Sequence, residues 1–266
     1  MLGKLIKYEF KAVSKILGIL HIALFLVTLA GVIAISLSKN TRFDYITTLT
    51  LALYIVILIA VAAAVTIYIV VRFYRNLFTD EGYLMNTLPV KSYELICSKL
   101  VVGFTWVIIN AICTLISIFV LVCSQISSVP DFAEGLGYFK EIMLTEFGLS
   151  LPGLILFIVI GSIISVFYML IMFYTSIAIG QTMRNHKVLF SLGAYVALYI
   201  ISQIISSVSM VPFGFITILQ AETDNASSIT SAFGPMMILS YVVSFALAMV
   251  YFFITNHIIG KKLNLE

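Results

Sequence analysis

The stretch Arg72–Lys99, RFYRNLFTDEGYLMNTLPVKSYELICSK, lies between two long apolar runs and decides how the whole chain is read. It carries the basic residues Arg72, Arg75, Lys91 and Lys99 and the acidic residues Asp80, Glu81 and Glu94. Between them stand Phe73, Tyr74, Leu77, Phe78, Tyr83, Leu84 and Leu88. Arg72 and Arg75 end the first apolar run, where basic side chains suit both a helix C-terminus and lipid headgroups. Thr79 or Asp80 caps a short new helix with Glu81 in its first turn; Gly82 weakens that helix and Pro89 stops it. Ser92 caps again, with Glu94 in the first turn, and this helix enters the next apolar run. The pattern is helix, break, short surface helix, break, helix. A solvated loop has no need of so many apolar side chains between charges, because exposed apolar groups mark a contact surface.

Working outward, the 266 residues are 62% hydrophobic and 10% charged, whereas a soluble domain carries about 25% charged residues. The sequence predicts an all-α, multi-pass membrane protein with six spans: Ile16–Leu37, Leu49–Val71, Leu100–Cys123, Pro152–Gly180, Val188–Phe213 and Pro235–Thr255. Each has the roughly 20 residues that cross about 30 Å of hydrocarbon. The longest segments outside, Arg72–Lys99 and Ser124–Leu151, fall short of the roughly 40 residues a chain needs to fold alone. Residues 1–266 therefore read as one transmembrane domain without a soluble catalytic part. Cys97, Cys113 and Cys123 have neither metal-ligand spacing nor a disulfide framework and read as small apolar residues.

Lys and Arg accumulate on the cytoplasmic side of a membrane protein. With the N-terminus inside, the inner segments hold Lys4, Lys7, Lys11, Lys15, Arg72, Arg75, Lys91, Lys99, Arg184, Lys187, Lys261 and Lys262. The outer segments hold only Lys39, Arg42 and Lys140. An even number of spans then puts both termini in the cytoplasm. Before the first span, Lys4, Lys7, Lys11 and Lys15 recur at helical steps opposite Leu2, Ile6, Phe10 and Val13, which predicts that residues 1–15 form an amphipathic helix lying at the interface. The outer segments are 124–151, where an interfacial helix fits Phe139, Ile142, Met143 and Phe147, and 214–234.

Within the spans, polar residues are few. His21 reads either as a ligand or proton-relay residue or as a packed or water-facing side chain, and Asn110 reads as an interhelical hydrogen-bond former or as part of a path. The fifth span carries Ser191, Tyr195, Tyr199, Ser202, Ser206 and Ser209 at steps of three and four, all on one helix face, with Gln203 beside them. That stripe is either packing or the lining of a translocation path through Tyr195, Tyr199, Ser202, Gln203, Ser206 and Ser209, together with Asn110. Ala60-x-x-x-Ala64, Gly161-x-x-x-Ser165 and the series Ser240, Ser244, Ala248 offer small-residue faces for close helix contact. The short link Gln181–Lys187 makes the fourth and fifth spans antiparallel neighbours.

The chain has no phosphate-cradling G-x-x-x-x-G-K-[ST], no H-E-x-x-H and no G-x-S-x-G, so neither catalytic residues nor a bound cofactor or metal is expected. None of the six expected spans contains Asp, Glu, Lys or Arg, which counts against an ion-coupled pump. Energy for uphill movement then enters through the cytoplasmic surface, of which 72–99 is the largest part.

Residues Phe73-Tyr74-Arg75-Asn76-Leu77-Phe78-Thr79-Asp80-Glu81-Gly82-Tyr83-Leu84, followed by Thr87-Leu88-Pro89-Val90 and Ser98-Lys99-Leu100, resemble the corresponding segment of bacterial type-2 ABC exporter permeases. Ile177-Ala178-Ile179-Gly180-Gln181 and the terminal Lys262-Leu263-Asn264-Leu265 are secondary matches, and span count and topology agree over the whole chain. The resemblance implies a coupling helix at Thr79, Asp80, Glu81, Gly82, Tyr83, Leu84 and Met85. It also implies a partly re-entrant segment between the fifth and sixth spans, and a permease dimer clamped by two copies of a separate ATPase that holds ATP and Mg. Export of antimicrobial peptides, drugs or other amphipathic compounds from the bacterial plasma membrane has precedent in that family. The rival expectations are an ion-coupled secondary carrier and a drug-binding sensor or immunity protein that moves nothing.

Overall fold

A computed structural model describes residues 2–38, 44–79, 82, 90–125, 129–146, 150–183, 185–221 and 226–261. The elements are helices: α1 (Leu2–Ser38), α2 (Asp44–Phe78), α3 (Ser92–Gln125), α4 (Val129–Glu146), α5 (Leu151–Gly180), α6 (Lys187–Ala221) and α7 (Ala226–Lys261). Six of them, all but α4, contain stretches long and apolar enough to cross a membrane. Exposed Ile19, Ile22, Leu26, Leu29 and Ile33 run down the outer side of α1, and α2, α3, α5, α6 and α7 carry similar apolar surfaces. Water would make such surfaces unfavourable; hydrocarbon does not, provided every backbone group is bonded within the helix. The protein is a multi-pass membrane protein.

The helices divide into two compact units, residues 1–132 and 133–266. In the first, α1 packs along α3 and α2. The buried seam of α1 is Glu9, Val13, Leu17, His21, Leu24, Thr28 and Ile35, spaced three, four or seven apart so that one stripe faces its neighbours. Glu9 meets Lys99, His21 meets Trp106 and Thr28 meets Ser117, so α1 and α3 run parallel. Glu9 also meets Arg72, while Tyr54 meets Ser117, so α2 runs the other way.

In the second unit, Phe173 stacks on Tyr195 with ring centroids 4.8 Å apart, and Gly180 abuts Ser191, which sets α5 and α6 antiparallel as the short link requires. Phe157 packs on Tyr241 and Thr175 bonds Thr255 at 2.9 Å, which sets α5 and α7 parallel. Ser150 caps α5 by accepting from the Gly153 amide at 3.3 Å, with Pro152 in the first turn. Past Gly180, the Gln181 amide donates to the Ile177 carbonyl at 3.0 Å, and His186, at φ 52°, turns the chain into α6.

Three features depart from the sequence expectation. First, no break separates 1–15 from the first span: α1 is one helix from Leu2 to Ser38. The reason is that Glu9, Val13 and Leu17 pack on α2 and α3, so tertiary contacts carry the helix straight through. At 1.5 Å per residue it is roughly 55 Å long, well beyond the ~30 Å of hydrocarbon. Its basic face is real: Lys4, Lys7, Lys11 and Lys15 are all exposed, opposite the seam. Second, the helices around 214–234 are longer than the spans: α6 continues through Pro212 to Ala221 and α7 starts at Ala226, ahead of Pro235. Third, Lys91 rather than Ser92 is the cap of α3. Its carbonyl accepts from the Glu94 amide at 2.9 Å, and its own amide donates to Glu94 Oε2 at 3.2 Å, one half of a capping box. The helix expected in 124–151 is present as α4, with Tyr138, Phe139 and Leu144 exposed.

Gly161 supplies the close approach that its small-residue motif predicts, since a Cβ there would run into the Tyr241 ring. Gly161→Ala should therefore lower the midpoint of thermal unfolding in detergent, at a cost of about 1–3 kcal/mol for overpacking. Gly193→Ala meets open space and should leave the midpoint unchanged or slightly raised, which isolates the contact from the glycine effect itself.

Candidate functional site

The most ordered polar cluster of the first unit lies at its basic end, where α1, α2 and α3 meet. Glu9 is the hub. Its Oε1 accepts from Arg72 Nε at 2.6 Å, and its Oε2 accepts from Lys99 Nζ and from Asn76 Nδ2, the latter at 3.3 Å. Glu9 is 7% exposed and Lys99 4%, against 24% for Arg72, so the Glu9–Lys99 bond is the interior one and Arg72 closes it toward the surface. Charge-assisted bonds of this kind are roughly twice as strong as neutral ones, and three donors satisfy most of the carboxylate's acceptor capacity. Each helix brings its residue by ordinary periodicity. Glu9 heads the buried seam of α1, Arg72 and Asn76 are one turn apart on α2, and Lys99 lies in the buried run Leu95, Ile96, Ser98, Lys99, Leu100 of α3.

Sequence reasoning missed this hub, because Glu9 falls in the segment read as a surface helix and its partners lie 63 and 90 residues away. One signal was available. Glu9 stands four residues before Val13 and eight before Leu17, which puts a carboxylate on the apolar stripe of an amphipathic helix.

From this hub α2 runs one more turn and a half into the expected coupling segment. Phe73 and Leu77 are fully buried, and Phe78 lies between Phe73 and Tyr74, with centroids 5.9 and 6.4 Å away. The Thr79 Oγ1 donates backward to the Arg75 carbonyl at 2.6 Å. The Gly82 amide then donates to the Thr79 carbonyl at 2.7 Å, a tight turn that folds the chain onto the end of α2. Gly82 is buried, and a Cβ there would strike the backbone of Leu77, so the turn needs glycine. Asp80, Glu81, Tyr83, Leu84 and Met85 lie outside the described residues, as do Thr87, Leu88, Pro89 and the terminal 262–266.

The residues expected to line a path separate. In α6, Ser202 is 4% exposed, donates to the Leu198 carbonyl at 2.7 Å and shares a 2.5 Å bond with the Tyr251 hydroxyl of α7. Ser191 and Ser209 bond back to the carbonyls of Lys187 and Ser206. Tyr195 is stacked on Phe173, and Ser206 is half-buried. Tyr199, 52% exposed, and Gln203 face outward on a neighbouring strip. Ser202 and Tyr195 thus pack the second unit, and Tyr199 and Gln203 are the members of the stripe left at its surface.

Asn110 belongs to the first unit. Among the described residues, His21 Nε2, Trp106 Nε1, Asn110 Oδ1 and Gln181 Nε2 are buried polar atoms without a hydrogen-bond partner. The first three sit together in the sense that Trp106 and Asn110 are one turn apart on α3, and His21 of α1 lies against Trp106 at 5.9 Å between centroids, with Phe10 stacked on its other side at 5.4 Å. His21 Nδ1 contacts the Leu17 carbonyl at 2.7 Å; as the donor there, it leaves Nε2 as an acceptor.

No family model matches the chain, and neither a curated protein nor a solved structure is similar to it.

Removing the hub carboxylate takes from the buried Lys99 its ion-pair partner on α1. Glu9→Ala should cost about 3–5 kcal/mol, the range for breaking one partner of a buried pair, whereas Arg72→Ala, at the exposed edge, should cost less. Unfolding followed by circular dichroism in detergent reads both, and equal losses would deny Lys99 its interior role. In the second unit, Ser202→Ala should cost about 0.6–2 kcal/mol, the worth of one interhelical hydroxyl bond.

Proposed function

We propose that this chain is the membrane-spanning permease subunit of an ATP-driven exporter of the type-2 ABC kind. It sits in a bacterial plasma membrane with both termini in the cytoplasm. Two copies, or one copy and a paralogue, are driven by two separate ATPase subunits that hold ATP and Mg. The cargo is an amphipathic or hydrophobic compound, an antimicrobial peptide or a drug being the type.

The observation that carries this reading is the joint between α2 and α3. The segment from Thr79 to Lys91 is the connection a cytoplasmic motor would press on, and its two flanking helices are bound to each other and to α1 through Glu9. A push on this segment is therefore delivered to three helices at once instead of bending one loop. The turn held by Thr79 and Gly82 adds a rigid base to it. The absence of any nucleotide motif in the sequence supports a motor supplied by another chain. On this reading Glu81, Gly82 and Leu84 make the main ATPase contact, and the basic face of α1 extends from the inner leaflet into the cytoplasm.

A second reading has one specific observation in its favour. Glu9 and Lys99, with half-buried Arg72 beside them, are ionisable groups set among helices, the feature whose absence from the expected spans spoke against an ion-coupled carrier.

The test is affinity purification of the tagged chain from its native membranes, with ATP hydrolysis measured in the eluate. The exporter reading expects co-purified ATPase activity, and a fall of about tenfold or more in the Glu81→Arg, Leu84→Arg double variant, as the loss of a contact worth ~1.4 kcal/mol implies. Unchanged recovery removes the contact. Transport by the lone chain in liposomes under an ion gradient, abolished by Glu9→Gln, would replace the exporter by the carrier.

A further inference from the structure

The face of the Arg72 guanidinium turned away from Glu9 opens onto a groove of about 190 Å³ between α1 and α2, lined by Ile16, Tyr68, Val71, Arg72, Arg75 and Asn76. We infer that this groove holds the phosphate of an anionic membrane phospholipid, with Arg72 and Arg75 as its cationic walls.

Charge is the first argument. Arg72 puts one positive charge on the groove wall. Arg75, one turn further along α2, adds another and has no acidic partner among the described residues. Arg72 commits Nε to Glu9, and a guanidinium has five N–H donors in a planar fork suited to a phosphate. Asn76 Nδ2 is engaged with Glu9 and marks the inner limit of the groove.

Position is the second argument. The groove stands where charge gives way to hydrocarbon. Toward one end of the unit lie exposed Lys11 and Lys15; toward the other, no charged residue occurs on α1 between Ile16 and Leu37, on α2 between Leu49 and Val71, or on α3 between Leu100 and Cys123. A phospholipid places its phosphate at that boundary. Ile16 and Val71 are both lining residues and exposed, and the apolar surface continues along Ile19 of α1 and Ile67 of α2, a track for acyl chains.

Size is the third. The groove, about 190 Å³ and open on one side, suits a headgroup held inside with chains left in the bilayer. A free phosphate would use the arginines and leave the apolar wall without a role.

The experiment uses the full chain in nanodiscs of phosphatidylglycerol and phosphatidylcholine mixed equally, followed by gentle extraction and native mass spectrometry of the lipid retained. The wild type should keep one phosphatidylglycerol per chain in preference to phosphatidylcholine. Arg75→Gln should reduce that preference about fivefold, the effect of one basic side chain at a lipid surface. Ile16→Trp, which fills the groove without changing charge, should reduce it as well, so a folding failure of either variant leaves the other to decide. Lys187→Gln, in the other unit, should leave it unchanged. Equal retention of both lipids, or undiminished selectivity in Arg75→Gln and Ile16→Trp, overturns the site. Displacement of the lipid by millimolar inorganic phosphate, with no effect of Ile16→Trp, assigns the groove to a free anion and overturns the lipid.

Discussion

One carboxylate holds the first unit together. Glu9 receives Arg72 and Asn76 from α2 and Lys99 from α3. In a membrane protein this matters more than its single ion-pair energy suggests. Lipid tails are as apolar as leucine, so hydrophobic burial supplies little drive for helices to choose one another, and polar bonds and close packing must select the partners. A buried cation–carboxylate pair is weak evidence for stability, because desolvation offsets much of the attraction. Its better-attested effect is register, since sliding α1 by one turn would break the Glu9–Lys99 pair.

The register set at Glu9 is repeated farther along. Thr28 and Tyr54 both reach the Ser117 hydroxyl, which again joins α1, α2 and α3. Thr28 lies about 28 Å beyond Glu9 at helical rise, close to the thickness of the hydrocarbon. The three helices are thus pinned by a charged node at one boundary and a hydroxyl node near the other, with apolar packing between. In the second unit hydroxyls join the helices: Thr175 with Thr255, and Ser202 with Tyr251. Hydroxyls suit the interior of a bilayer because each can also bond its own helix's carbonyl, as Thr28, Thr175, Ser202 and Thr255 do, so the polar atom is never wholly unmet.

What the sequence makes legible follows from which forces act locally. The six spans are read correctly in number and approximate place because span length is a property of consecutive residues against a fixed thickness. The close contact at Gly161 and the antiparallel pair joined by Gln181–Lys187 are likewise local. The continuous α1 is not legible from its own residues, because the four lysines do make an amphipathic face and the burial of Val13 and Leu17 depends on residues distant in the chain. Glu9 suffers the same blindness: charge on a short N-terminal segment looks like surface until Lys99 and Arg72 are beside it. The stripe on α6 shows the converse. Its regular spacing is genuine, yet a helix face is wider than one interaction, and the strip divides into Ser202, turned into α7, and Tyr199 and Gln203, turned out.

The polar atoms that remain unmet are a different kind of constraint. His21 Nε2, Trp106 Nε1 and Asn110 Oδ1 lie on the facing sides of α1 and α3, between the two nodes that fix those helices. Burying such groups without partners costs about 1–3 kcal/mol each. The nodes at Glu9 and Ser117 prevent α1 and α3 from sliding to relieve that cost, so the strain is held where it is.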